Sequence, residues 1–117
     1  MRCILRWSTE FQVSLHLNSA SFSQCLHTVF EIGVSDTEKE NLELIRVTEY
    51  HVSPQLEQFS LIFRGRVAPV LEQKIHPVQH ETLGSLKLFF VPIGPDEQGM
   101  CYEVAFNRFR RDTPAQS

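Results

Sequence analysis

Alternation of apolar and polar residues is the main pattern along this chain. In FQVSLHL (residues 11–17) every second side chain is apolar, and the same period recurs in TVFEIGV (28–34) and QFSLIFRG (58–65). A period of two places the apolar side chains on one face of a β-strand. The pattern therefore predicts a half-buried strand in each of these three stretches.

A fourth stretch, NLELIRVTEY (41–50), alternates with a change of phase. Leu42 and Leu44 share one parity, whereas Ile45 and Val47 share the other. Two explanations fit this change: a β-bulge near residues 44–45, or a strand that is covered on both faces.

Two further apolar runs flank a short loop. LKLFFV (86–91) is apolar on both parities and is predicted to be a strand buried on both faces, and MCYEVAF (100–106) alternates. The loop between them, IGPDEQG (93–99), is rich in turn-forming residues, so the two runs are predicted to pair as an antiparallel hairpin. Asp96 and Glu97 in this loop are interpreted as solvated turn residues, and the loop as a chain reversal rather than an active site.

One short helix is predicted, in SFSQCLHT (21–28). Ser21 is the expected N-cap, and Gln24 follows three residues later as in a capping box. The segments DTEKEN (36–41) and HVSPQLEQ (51–58) are expected to be loops, the second because of Pro54. Six antiparallel strands and one N-terminal helix predict a mainly β fold, either a small barrel or a sandwich.

The length and composition suit one domain with one core. The chain has 117 residues, of which 42% are hydrophobic. A chain of this length is too short to form two domains with separate cores. The predicted division is an N-terminal extension (1–14), a single all-β domain (15–110) and a flexible tail (111–117).

Charge and cysteine content bear on partners and location. The formal net charge of −3 supplies no general attraction to nucleic acid or to an anionic membrane, so neither is an expected partner. No run of about 18 apolar residues occurs, and the first residues lack the apolar core of a signal peptide. Cys3, Cys25 and Cys101 form no C-x-x-C pair, which favours reduced thiols and a cytoplasmic location.

The chain offers few candidate catalytic or metal-binding residues. His76 and His80 have helical metal-site spacing, but Pro77 lies between them, and on a strand they would be about 13 Å apart. Cys101 has no basic neighbour or helix N-terminus to activate it, so a packed thiol is expected. No P-loop, G-x-S-x-G or H-E-x-x-H motif is present. The prediction is a protein without catalytic residues, metal or cofactor.

The basic residues are the one candidate interaction site. If the strands that contain them are neighbours, five arginines could form one positive edge: Arg64, Arg66, Arg108, Arg110 and Arg111. The favoured alternative for Arg64 is a cross-strand ion pair with Glu103, a contact of a few tenths of a kcal/mol at a surface.

Residues 59–107 contain the motifs FSLIFRG, HETLG, LFFVPIGP and GMCYEVAFN. In these motifs the sequence resembles a bacterial family of short domains of unknown function, and the similarity is weaker over residues 17–47. The resemblance implies an accessory role linked to phage-tail-like assemblies. Nine residues are expected to be structural: Phe59, Leu61, Phe63, Gly65, Gly84, Phe90, Gly99, Tyr102 and Phe106.

Two functions are compatible with this sequence. The first is a non-catalytic protein-interaction or structural accessory module that binds another protein or a second copy of itself. The alternative is a β-barrel that binds a small ligand in an interior lined by the nine phenylalanines.

Overall fold

Six antiparallel strands form a closed barrel. The structure, a computed structural model, describes residues 17–109, without the side chains of 51–53, 108 and 109. The elements are α1 (Ser19–Ser23), β1 (Val29–Gly33), β2 (Lys39–Ser53), β3 (Leu56–Gly65), β4 (Lys74–His80), β5 (Gly84–Pro95) and β6 (Met100–Phe109). The strand order around the barrel is β1-β2-β3-β6-β5-β4, and β4 pairs with β1 to close the ring. The mainly β prediction is confirmed, and the fold is a barrel rather than a sandwich.

The six strands are not the six that the alternation predicts. The stretch 11–17 lies outside the described residues except for Leu17, which is not in a strand. The predicted extension 1–14 and the predicted tail 111–117 also lie outside the described residues. The sixth strand is β4, whose inward positions His76, Val78 and His80 alternate with exposed residues.

The pairing of β2 with β3 confirms a bulge within β2 and corrects the loop predicted between the two strands. The register of this pair shifts between Leu44 and Arg46, so the change of phase marks a β-bulge. The predicted loop 51–58 is instead a tight connection, because β2 extends to residue 53 and only Pro54 and Gln55 lie between the strands.

The β5–β6 hairpin is shorter than predicted. Residues 91–95 of β5 pair with residues 100–103 of β6, whereas residues 84–90 pair with β4. Strand β5 therefore changes partner along its length, and β6 makes its longest ladder with β3, over ten residue pairs.

Aromatic side chains fill the barrel. Phe63 lies at the centre, with ring centroids 5.1 Å from Phe30 and 5.3 Å from Phe90. Phe59 and Phe106 stack at 4.5 Å nearer one end. The rings of Phe30, Phe59, Phe63 and Phe90 are at most 1% exposed, which confirms the core positions predicted from alternation.

Helix α1 covers the end of the barrel near Phe59. Its Phe22 is fully buried, with its ring centroid 6.1 Å from that of Phe59. The N-cap is Asn18, whose side chain accepts from the Ser21 N–H at 3.0 Å. The helix thus begins three residues earlier than predicted, because Asn18 and Ser21 form the capping box that had been assigned to Ser21 and Gln24. No helix in residues 17–109 has the length and apolarity needed to cross a membrane.

The loop between β3 and β4 (66–73) covers the other end. Its Leu71 is 4% exposed, and the Leu71 N–H donates to the Tyr102 hydroxyl at 2.9 Å. A β6 side chain therefore holds the loop against the barrel.

Close backbone contact between β3 and the loop before β6 explains two glycines. A Cβ on Gly99 would overlap the carbonyl oxygen of Gly65, and a Cβ on Gly65 would overlap the Leu42 side chain. A methyl group at Gly99 would force two backbone segments apart, so glycine is required there.

Candidate functional site

The outer face of β4 and β5 carries an apolar surface. Because side chains alternate along each strand, burial of His76 and Phe90 inside the barrel directs their neighbours Ile75 and Phe89 outward. Ile75 is 62% exposed and Phe89 46% exposed, and the two are directly opposite each other in the β4–β5 ladder. Ile93, further along β5, is 51% exposed. These three residues are called the apolar patch below.

Opposite charges lie on either side of the Ile75–Phe89 pair along the strand direction. Lys87 is exposed and precedes Phe89 by two residues on β5. On the other side, Glu103 of β6 pairs with Val91, which follows Phe89 by two residues. The outward positions thus read Lys87, Phe89 and then the Val91–Glu103 pair.

A cleft of about 560 Å³ opens at the end of the barrel covered by loop 66–73. Its lining includes Val34, Glu38, Glu40, Arg66, Val70 and His76. Arg66 donates to both carboxylate oxygens of Glu40, at 3.2 and 2.5 Å. The charges of Arg66 and Glu40 in the cleft therefore neutralise each other.

Both histidines of β4 contact protein groups. The His76 ring nitrogens lie 3.1 Å from the Gly33 carbonyl oxygen and 2.8 Å from that of Glu72. A neutral imidazole can donate to one of these acceptors, and an imidazolium to both. Among residues 17–109, no three His, Cys, Asp or Glu side chains are grouped as metal ligands would be.

His80 organises the turn between β4 and β5. Its Nδ1 accepts from the Thr82 and Leu83 N–H groups at 3.0 and 3.1 Å. The proton of the neutral ring is therefore on Nε2, which donates to the Thr28 hydroxyl at 2.8 Å. Burial lowers the pKa of His80 below its usual 6.5, with Glu81 acting weakly in the opposite sense.

The predicted positive edge does not form among the described arginines. Arg64 and Arg66 are each bound to a carboxylate, Asp96 and Glu40. In the antiparallel β3–β6 ladder, Arg64 is opposite Cys101 and Glu57 is opposite Arg108. Seven residues separate these positions, or about 23 Å along a strand. Arg110 and Arg111 lie outside the described residues.

Asp96 forms the ion pair that had been assigned to Glu103. Its Oδ2 accepts from Nε and a terminal nitrogen of Arg64, at 3.0 and 2.8 Å. Its Oδ1 accepts from the Gln98 and Gly99 N–H groups, at 2.8 and 2.9 Å. The Arg64 contact and then the Gln98 N–H lower the pKa of Asp96 to about 2. Asp96 is thus an exposed turn residue, as Glu97 is, and its contacts also organise the loop.

Cys101 lies beneath this ion pair. It is 8% exposed, and its Sγ is 3.5 Å from Asp96 Oδ2. Burial and then the adjacent carboxylate raise the pKa of the Cys101 thiol. The protonated thiol is therefore favoured, and a thiol is a poor nucleophile.

A family model described as "Domain of unknown function (DUF6916)" matches residues 17–106. The chain belongs to this family. Neither the curated proteins nor the solved structures include a significant match to the chain. The match extends from the residue before the Asn18 cap into β6, so it covers α1 and the barrel.

The motif residues of this DUF6916 domain have structural partners. His80 and Gly84 shape the β4–β5 turn, where Gly84 has a φ of +81°. Tyr102 holds loop 66–73, and Gly99 allows close contact with β3. Two residues of the apolar patch, Phe89 and Ile93, lie within the LFFVPIGP motif, and Ile75 lies outside the motifs. Sequence alone could not find the patch, because Phe89 and Phe90 are adjacent aromatic residues and the pattern had placed both in the core.

Proposed function

We propose that this DUF6916 domain is a non-catalytic protein-interaction module whose binding surface is the outer face of β4 and β5. The observation that carries the proposal is the apolar patch. Single exposed apolar residues are common on proteins, but Ile75 and Phe89 are cross-strand neighbours, and Ile93 extends the same face. An aromatic and aliphatic centre with a charged rim is typical of protein interfaces.

The barrel supports this role by holding the surface rigid. The strands form a ring, and helix α1 and loop 66–73 cover its two ends. A face whose backbone is fixed in this way loses little conformational entropy when it binds. The accessory role in phage-tail-like assemblies that the resemblance implies agrees with such a surface.

The polar residues support a non-catalytic role. The contacts of His76 and His80 are with groups of the protein itself, and the environment of Cys101 favours its protonated form. These side chains serve the fold, whereas the apolar patch makes no comparable contribution to the core.

Site-specific photocrosslinking tests the proposal. A photoreactive phenylalanine analogue is placed at Phe89 or at Tyr50, and the protein is irradiated in the cells that produce it. Tyr50 is the matched control because it is aromatic, 49% exposed and located on β2, across the barrel from β5.

The expected result is a discrete crosslinked species from position 89 that is missing from position 50. Equal yields at the two positions, or no product at position 89, would contradict the proposal. Replacement of Ile75 by Ser in the crosslinking protein should reduce the yield, because it removes the cross-strand neighbour.

The second candidate function is small-ligand binding, which the cleft favours. A volume of about 560 Å³ is within the size range of small-molecule sites. Since aromatic rings fill the barrel, the ligand would bind at its mouth, beside Val70 and His76. A fragment screen by NMR tests this: shifts confined to cleft residues, and abolished by Val70→Trp, would support ligand binding.

A further inference from the structure

We infer that the partner of this face is a second copy of the same chain. The two copies are related by a two-fold axis that runs across strand β5 at Phe89. The inference rests on the proposed function and names the partner of the same surface. It follows from the order of apolar and charged residues across β4, β5 and β6.

The centre of the surface is compatible with this symmetry. Ile75 and Phe89 lie at the same level along the strands, because they are paired in the ladder. An axis that runs across the strands at that level, in the plane of the interface, places Phe89 against Phe89 and Ile75 against Ile75. Self-complementary contacts of this kind are the rule in two-fold interfaces.

The flanking charges select the orientation of the second copy. Lys87 lies about 7 Å to one side of Phe89, and Glu103 about 7 Å to the other, since two residues of a strand span that distance. The axis reverses the strand direction, so Lys87 of each copy lies over Val91 of the other and diagonally opposite Glu103, which is one strand, or about 5 Å, further across. The side chains can meet because packed sheets are about 10 Å apart, a gap that a lysine and a glutamate together can span.

The same charges disfavour the other simple arrangement. A two-fold axis parallel to the strands and along β5 would keep the strand direction and bring Lys87 over Lys87, with each Glu103 about 13 Å along the strands from both lysines. Juxtaposed like charges discriminate against wrong pairings. The charges therefore favour the antiparallel orientation over the parallel one.

Sedimentation equilibrium of the full chain tests the inference by charge reversal. The unaltered chain is expected to form dimers. Lys87→Glu creates two Glu–Glu contacts in the dimer, and Glu103→Lys creates two Lys–Lys contacts, so each variant alone should raise the dimer dissociation constant at least about tenfold.

An equimolar mixture of the two variants should restore dimers. In the mixed dimer the introduced glutamate faces the introduced lysine, and the native Glu103 faces the native Lys87, so both contacts are attractive again. The double variant Lys87→Glu/Glu103→Lys should dimerise with itself for the same reason. A partner other than a second copy cannot produce this pattern.

Arg46→Glu is the control for the change in net charge. Arg46 is exposed on β2, across the barrel from β5, and the substitution changes the charge as much as Lys87→Glu does. It should leave the dissociation constant unchanged, and circular dichroism should show the same fold in all variants.

Three results would overturn the inference: a monomeric chain at millimolar concentration, single variants that dimerise like the unaltered chain, or a mixture that stays monomeric. A monomeric chain that crosslinks a different protein through position 89 would leave the proposed function intact and remove only the second copy. A monomeric chain without any crosslink at position 89 would remove both.

Discussion

One hydroxyl group holds the loop that covers the barrel end beside the cleft. Tyr102 is 1% exposed, and its hydroxyl accepts the N–H of buried Leu71. Tyr102→Phe keeps the ring but leaves that N–H without its partner, which should cost about 1–3 kcal/mol. Urea unfolding measures this cost. Tyr50→Phe is the control, because Tyr50 is half exposed, and an equal loss in both variants would contradict the prediction.

Asp96 should make stability depend on pH in acid. Its folded pKa of about 2 lies below its usual 3.8, so the carboxylate stabilises the fold above pH 4, and this stabilisation is lost as the pH falls towards 2. We expect Asp96→Asn to lower the melting temperature at pH 6 and to converge with the unaltered chain near pH 2. Glu97→Gln should have no such effect, and parallel pH profiles for the two variants would contradict the assignment.

At the scale of elements, strand β5 directs one of two adjacent phenylalanines into the core and the other to the surface. Phe90 is fully buried, and Phe89 is 46% exposed. Phe90→Ala should cost about 3–5 kcal/mol, as expected for an aromatic ring removed from a core. Phe89→Ala should stay within about 0.5 kcal/mol, as surface substitutions usually do, but should lose partner binding. Denaturation of both variants, and crosslinking of each from a photoreactive residue at position 75, check the two halves, and a strong destabilisation by Phe89→Ala would place that ring in the core.

Alternation predicted most strands because their inward residues are apolar. It did not predict β4, where two of the inward residues are the histidines at positions 76 and 80, so the buried face does not read as hydrophobic. The bulge after Leu44 was one of the two explanations offered for the change of phase, and the register shift between β2 and β3 decides in its favour. The apolar patch and the Asp96–Arg64 pair were not predicted, because neither has a local signature: each depends on which strands become neighbours.

At the scale of the whole molecule, His80 connects the segment after α1 to the β4–β5 turn. The Thr28 hydroxyl accepts from His80 and donates to the Cys25 carbonyl at 2.6 Å, so the network joins distant parts of the chain. Protonation of Nδ1 would break its two hydrogen bonds to the turn.

Stability should therefore fall as the pH drops below about 6.5. The folded pKa of His80 is lower than that of the unfolded chain, so the unfolded state binds the proton first, and the loss continues until the folded pKa is reached. Chemical denaturation between pH 7.5 and 5 measures this slope. His80→Gln should flatten it, and an unchanged slope in the His80 variant would contradict the role.

The β1–β4 ladder that closes the ring has the fewest residue pairs, so local opening of the barrel should begin there. Strands β1 and β4 pair at only two positions, Ile32 with Val78 and Glu31 with Gln79, against ten for β3 and β6. Opening there costs few hydrogen bonds, so backbone amides near these positions should exchange with solvent deuterium through local opening, whereas those of β3 should await global unfolding. An open ring exposes two strand edges, to which another chain could add. Pro77 precedes Val78 on β4 and has no amide proton, so it would limit such addition and protect the molecule while its ring is open.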